Sequence, residues 1–321
     1  MANIPVCCQP DSVAFLPNSK DIIVATYTHS EGVRSGSLMV LHSQSYAVQQ
    51  CNYQTRSQLK LNCGILHAKP YIINGSNYAI CAASDGSIKF AMLDPVISIE
   101  GSTVVDSKAL VLSVCKDSYS GKVVGGLSTG KIALIDRGRV VNWWTGHELE
   151  VWACYMDGKL IYTGADDSRL RIWDINTLSN STSNPNNYIA EIKSFGAGVT
   201  WISTSDTEII AGSHDNCLRW FDKRALNCEV KRLKLPGSPW KLVLRDSIFY
   251  AAVCQGLVYA FTQDNSLVGT VAQINEKIHY EFENLPQTEH SPLIYSVDVK
   301  DNILVATDFY NKRLIVMDAT F

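Results

Sequence analysis

The stretch Gly164-Ala165-Asp166-Asp167-Ser168-Arg169-Leu170-Arg171-Ile172-Trp173-Asp174, with Gly146-His147 upstream, constrains this chain more than any other. It reads as the end of an apolar strand, a tight turn carrying aspartates, and a second apolar strand that closes on Trp-Asp. With the Gly-His pair ahead of it, this is the composition of one blade of a WD-type β-propeller. A single blade is an antiparallel sheet with two apolar faces and cannot bury both alone. The motif therefore requires further copies.

Related units recur at about forty to fifty residues, the period of propeller blades. The first runs from Asp11 and holds SVAFLP, DIIVATYT and GSLMVLHS; the second contains YAICAASDGSIKFAMLD; the third contains KVVGGLSTGKIALID. The fourth joins VWACYMD to KLIYTGADDSRLRIWD, and the fifth is GVTWISTSDTEIIAGSHDNCLRWFD. The sixth is WKLVLRDSIFYAAVCQGLVYAF and the seventh LIYSVDVKDNILVATDFYNKRLIVMD. Alternating and β-branched runs dominate, and no segment keeps a helical period. The seventh unit reaches the end of the sequence without room for a fourth strand. Residues before Asp11, about Ile4 to Cys8, can supply it and leave no open sheet edge. The expectation is an all-β, seven-bladed WD-repeat β-propeller, one domain over 1–321, with residues 1–10 providing the closing strand. Leu178 to Asn187 reads as a surface loop, and Gln273 to His290 as the longest inter-blade segment.

The 321 residues are 46% hydrophobic and carry a net charge of −3, so there is apolar material for a large core and no basic footprint for nucleic acid. The opening MANIPVCCQPDSVAF lacks a basic region followed by an apolar run, and nothing approaches the length of a membrane span. The ten cysteines are scattered, with no Cys-x-x-Cys pair. They read as small apolar residues of a reduced core rather than zinc ligands or bridges. A cytoplasmic monomer without metal or cofactor, touching neither membrane nor nucleic acid directly, is expected.

His147, Thr163, Asp167 and Trp173 supply the members of a WD-repeat hydrogen-bond tetrad: Asp accepts from the imidazole, the hydroxyl holds the imidazole, and the indole donates to the hydroxyl. A buried polar chain is tolerable when every member is paired, so these residues read as scaffold. In the fifth unit Gly196-Ala197-Gly198 stands where the upstream His belongs, which leaves Asp215 without its usual partner and available to a ligand. In the seventh unit His290 occupies the Gly-His position, but Asn311 and Met317 occupy the Asp and Trp positions. His290 is then either an uncommitted general base or a histidine whose proton Asn311 accepts. Gly126-Leu127-Ser128-Thr129-Gly130 matches the G-x-S-x-G elbow of esterases, which makes Ser128 a candidate nucleophile. Its flanks are strand on both sides, whereas the elbow requires strand, turn, helix; the other reading is a blade turn. Trp143 to Trp152 is dense in aromatic and acidic residues, the composition of a mouth for an organic cation. Trp201, Trp240 and Tyr310 add to that more weakly.

Three stretches carry a resemblance. DSVAFLP with ATYTHSEGVRSGSLMVL, HELEVWACYMD with YTGADDSRLRIWD, and EHSPLIYSVDV with ILVATDFYNKRLIVMD resemble the first, central and last repeats of the WD-repeat diphthine methyl ester esterases, commonly called diphthine methyltransferases. GVTWI, GSHDNCLRWFDKR and GSPWKLVL fall in the same order. The resemblance implies a carboxylic-ester hydrolase that removes a methyl ester from methylated diphthine on elongation factor 2, with that factor as partner. A base must activate water and donors must meet the oxyanion. His290 is the candidate base, Glu150 its orienting group or the cation's counter-charge, and Trp152 and Tyr310 the pocket lining. The competing expectations are a non-catalytic propeller scaffold and an adaptor that presents elongation factor 2, because fold does not fix function.

Overall fold

A computed structural model describes residues 2–43, 53–178, 187–226, 228–245, 247–254, 256–262, 277–281 and 292–319. Strands and turns make up these residues, with no helix among them. Seven antiparallel sheets follow one another along the sequence. Blade 1 uses Pro10–Phe15, Ile22–Thr26, Val33–Ser43 and Tyr53–Leu61, with short Thr28–Ser30 folded back on the third of these. Blade 2 uses Ile65–Ile73, Ser76–Ala83, Ser87–Met92 and Ser98–Val104. Blade 3 uses Val111–Lys116, Val123–Leu127, Lys131–Asp136 and Arg139–Thr145. Blade 4 uses Ala153–Asp157, Leu160–Gly164, Leu170–Asp174 and Ala190–Ile192. Blade 5 uses Val199–Thr204, Glu208–Ser213, Cys217–Asp222 and Glu229–Lys234. Blade 6 uses Pro239–Arg245, Ile248–Val253, Leu257–Thr262 and Lys277–Glu281. Blade 7 uses Val297–Lys300, Ile303–Asp308, Arg313–Asp318 and, from the other end of the sequence, Ala2–Pro5. The fold class is the seven-bladed β-propeller expected.

Sequence decides depth within each blade. Second strands such as Ile22–Thr26 and Val123–Leu127 are small, β-branched or, at Leu127, aliphatic, and are buried at every position, as strands covered on both faces must be. Outer strands such as Arg139–Thr145 and Glu229–Lys234 alternate between exposed and more buried positions, and their exposed face carries apolar residues such as Val141, Trp143 and Val230. The turns between strands use left-handed residues. Gly130 sits at φ +76°, and any Cβ there would run into the carbonyl oxygen of His147, so this turn admits only glycine.

The chain divides into two compact units. The first comprises residues 1–79, 91–98 and 235–321, and holds blades 1, 6 and 7. One of its cores packs Val13, Val24, Met39, Val305 and Val316, and another packs Tyr250, Val258, Ile294 and Ile315. Ala2–Pro5 pairs antiparallel with the last strand, Ala2 opposite Val316 and Pro5 opposite Arg313. It starts two residues earlier than the Ile4 to Cys8 segment expected; Val6, whose N–H still bonds the Lys312 carbonyl at 2.8 Å, packs into the first of these cores. The second unit comprises residues 80–90 and 99–234, and holds blades 3, 4 and 5. Its cores pack Val124, Leu134, Trp144 and Trp173, and separately Tyr162, Val199, Phe195 and Phe221. The cysteine expectation needs a correction. Cys63, Cys81, Cys115 and Cys217 are buried, but Cys7 and Cys228 are exposed.

Candidate functional site

In blade 4 the polar chain forms in full. The Trp173 indole donates to the Thr163 hydroxyl at 2.9 Å, that hydroxyl meets His147 Nε2 at 2.8 Å, and His147 Nδ1 meets the Asp167 carboxylate at 3.0 Å. The ionised Asp167 carboxylate can only accept, so the imidazole carries its proton on Nδ1; neutral Nε2 then accepts from the Thr163 hydroxyl, which in turn accepts from the indole. Burial disfavours the imidazolium and holds His147 below its ordinary value of 6.5, despite Asp167 beside it. Burial pushes the Asp167 carboxyl up, but the hydrogen bonds from His147 and from the Glu148 N–H outweigh it and hold the acid low. Every member has a partner, so none is free for chemistry.

Blade 5 replaces that chain wholesale. Phe195 precedes Val199 by the spacing at which His147 precedes Val151, and Asp215 accepts from the Gly196 N–H as Asp167 does from Glu148. By strand register Ala211 stands at the Thr163 place and Phe221 at the Trp173 place. The Phe195 and Phe221 rings lie 5.8 Å apart. Removing all the polar partners together avoids an unsatisfied group. Asp215 is therefore not left without a partner, as the sequence suggested. Arg219 donates to both its oxygens and stacks its guanidinium 5.2 Å from the Phe195 ring. These bonds hold the Asp215 carboxyl low against its burial.

Blade 7 is different again. By strand register Ala306 stands at the tetrad hydroxyl place, and Thr307, one residue on, accepts from the Ser296 N–H at 3.0 Å. Asn311 turns its amide onto fully buried Asp308, donating at 2.9 and 3.0 Å, and Arg313 Nε donates to the same carboxylate at 2.9 Å. The repeat pattern offers Asn311 only as an acceptor for His290 and gives no role to Asp308. His290 lies outside the described residues.

The first unit also gathers a group that the sequence concealed. In blades 1 and 6 the innermost strand skips one residue of its ladder, between Pro10 and Ser12 and between Pro239 and Lys241. The residues skipped are Asp11 and Trp240. Bulges of this kind re-aim a side chain. Trp240 lies 5.1 Å from Tyr295, Tyr295 5.2 Å from Phe309, and Phe309 5.3 Å from Tyr310, which is half exposed. Asp11 keeps some contact with solvent but sits deep in protein, and burial alone pushes its carboxyl up to about 8. Burial, then the fields of Asp11, Cys254 and Tyr310, push the Tyr295 hydroxyl up. The Cys254 thiol is itself raised to about 11 by burial and is no ready nucleophile. Deeper in the same unit Lys241 donates to the Val13 carbonyl and the Ser296 hydroxyl. His67 is driven down to about 3 by burial, with Lys241 and Lys69 adding to it.

The sequence candidates fall on both units. In the second, Ser128 Oγ accepts from the Leu110 N–H at 2.9 Å in a strand–turn–strand setting, with no histidine hydrogen-bonded to it among the described residues. The Trp152 indole donates to Asp166 at 3.0 Å, and the Asp166 N–H bonds back to the Glu150 carbonyl. Glu150 and Trp152 are thus neighbours, and the Glu150 carboxylate makes no hydrogen bond or ion pair among the described residues. Tyr310 lies in the first unit.

Comparison with known proteins fits this geometry. A family model described as "WD domain, G-beta repeat" matches residues 138–174, the stretch that holds the tetrad. A solved chain from a crystal structure of the mitotic checkpoint complex superposes with a TM-score of 0.71, covering 100% of this chain and 95% of that one, at 11% identity. That likeness concerns the fold. A Dictyostelium discoideum protein named diphthine methyltransferase homolog is 28% identical over 205 residues, 57% of this chain and 56% of that protein. Human diphthine methyltransferase is 25% identical over 172 residues, 49% of this chain and 36% of the human protein. The diphthine methyltransferase of Schizosaccharomyces pombe is 22% identical over 318 residues, 92% of this chain and 90% of its own length. The chain thus carries a WD repeat and is similar, over nearly its whole length, to the fission yeast diphthine methyltransferase and, over about half of it, to the Dictyostelium and human proteins.

Proposed function

We propose that this chain acts in diphthamide biosynthesis as a carboxylic-ester hydrolase, removing the methyl ester of methylated diphthine on elongation factor 2. The observation that carries the reading is the 318-residue likeness to the fission yeast diphthine methyltransferase. It acts as a cytoplasmic monomer. Water attacks the ester carbonyl, a base takes the water's proton, methanol leaves, and the acid is freed. His290 is the base, and Tyr310, at the open end of the aromatic row in the first unit, lines the substrate's path. Glu150 and Trp152 offer a carboxylate beside an indole in the second unit, and Asp215 and Ser128 are the remaining candidates there. The engagement of Ser128 with Leu110 and of Asp215 with Arg219 ranks both below Glu150.

The test is mass spectrometry of elongation factor 2 bearing methylated diphthine, incubated with the purified chain. Loss of one methyl ester is expected, with His290→Ala lowering the rate by about 10²–10⁴-fold, the range of a general base. An unchanged mass with the wild-type chain sinks the reading. It would leave the second one, a non-catalytic scaffold or adaptor. One observation favours that alternative: the outer strand of blade 3 exposes Val141 and Trp143, at 46% and 39%, on an edge suited to a protein partner.

A further inference from the structure

We propose that Asp11, with the rings of Trp240, Tyr295 and Tyr310, forms a binding site for a methylated ammonium cation. The aim of the residues comes first. Two bulges, in separate blades of the first unit, take Asp11 and Trp240 out of their ladders. Tyr295 packs at a tilt of 51° against that same Trp240, 5.1 Å away, and lies within the field of Asp11. Tyr310 ends the row in solvent, which gives a ligand a way in.

The missing partner comes second. The Asp11 carboxyl makes no hydrogen bond or ion pair among the described residues, although Ser12 beside it bonds the Ala68 carbonyl and Asp298 in the same unit holds the Phe15 N–H. An acid set deep in protein either stays neutral or takes a counter-charge. Burial keeps it near the point where a cation decides between the two.

The ligand's chemistry comes third. Aromatic faces attract cations, most of all those that shed water easily, as methylated ammonium does and a bare metal ion or lysine ammonium does not. A metal ion would need several oxygen, nitrogen or sulfur ligands. Among the described residues no three His, Cys, Asp or Glu side chains come together to supply them. Tyr295 and Tyr310 contribute faces and hydroxyls, not charge.

The site stands on the first unit's geometry, and its tie to catalysis rests on the ester-hydrolase reading, whose substrate carries a trimethylammonium group. The cation can come free in solution or on a protein side chain. The experiment is calorimetric titration of the full chain with tetramethylammonium chloride, against sodium chloride at equal ionic strength. Saturable binding is expected with the first salt only. Asp11→Asn should weaken it about tenfold, and Tyr310→Leu, at a half-exposed position, should weaken it several-fold with the fold intact. Choline binding more tightly than a trimethyllysine peptide identifies a free ligand, and the reverse a protein-borne one; both uphold the site. Absence of saturable binding, or Asp11→Asn binding as the wild type does, overturns it. Ester hydrolysis without tetramethylammonium binding refutes the site and keeps the hydrolase. Binding without hydrolysis refutes the hydrolase and keeps the site.

Discussion

His147 and His67 are held neutral by burial, and Asp11 is held protonated by the same cause, so the three pull stability in opposite directions with pH. Each histidine has a folded value below its ordinary 6.5. The unfolded chain therefore binds the proton first, and the stability each contributes is complete above about pH 6.5 and lost as pH falls through its folded value. Asp11 has a folded value above its ordinary 3.8. Its contribution is complete below about pH 4 and lost as pH rises toward about 8. Between about pH 4 and about pH 6.5 the two kinds partly cancel. His67→Gln should flatten the acid loss by up to one proton's worth, about 1.4 kcal/mol per pH unit, and Asp11→Asn should steepen it by a similar amount. Unfolding midpoints measured across that range check both, and parallel curves for wild type and variants would refute them. The tetrad was legible in the sequence because each role admits few residue types: only an indole donates there, only a hydroxyl both gives and takes. Asp11 was not legible, because its state comes from what surrounds it and its surroundings come from residues as far along the chain as Trp240 and Tyr295.

At the scale of the element, blades 4 and 5 are two solutions to one packing problem. His147, Thr163 and Trp173 fill the site with a bonded chain, and Phe195, Ala211 and Phe221 fill it with apolar contact. A mixture of the two fails. Phe195→His alone places an imidazole against Ala211 with no hydroxyl to meet it, and should cost about 1–3 kcal/mol. The triple change Phe195→His, Ala211→Thr and Phe221→Trp should recover much of that, a coupling a double- and triple-mutant cycle measures directly. Additive losses would show that the blades are not equivalent. The substitution was readable in principle. Counting four residues back from Val199 gives Phe195, just as counting back from Val151 gives His147. The adjoining glycines hide it, because their composition draws attention where spacing holds the signal. Blade 7 was less readable still, since Asp308 stands at a place where blade 4 has Ala165 and no comparison of like with like points to it.

At the scale of the molecule, Ala2–Pro5 on the last strand is the longest connection in sequence, Ala2 lying opposite Val316. The repeat count foretold that a segment before Asp11 completes blade 7. The register was beyond the sequence, since it depends on where Val6 turns inward to pack with Phe15 and Val316. Deleting residues 2–6 should lower the thermal midpoint by several degrees, about 2–4 °C for each kcal/mol lost, and a peptide of residues 1–9 should restore part of it. An unchanged midpoint would mean the pairing adds nothing. The same strand has a meaning in time. A ribosome makes Ala2–Pro5 well before Arg313–Asp318, so the earlier strand leaves the exit tunnel with no mate and waits through the synthesis of six blades. During that wait its open edge is a liability that any other nascent strand can exploit. The shortness of the segment, and the proline that ends it, keep that edge a poor template until its own partner emerges.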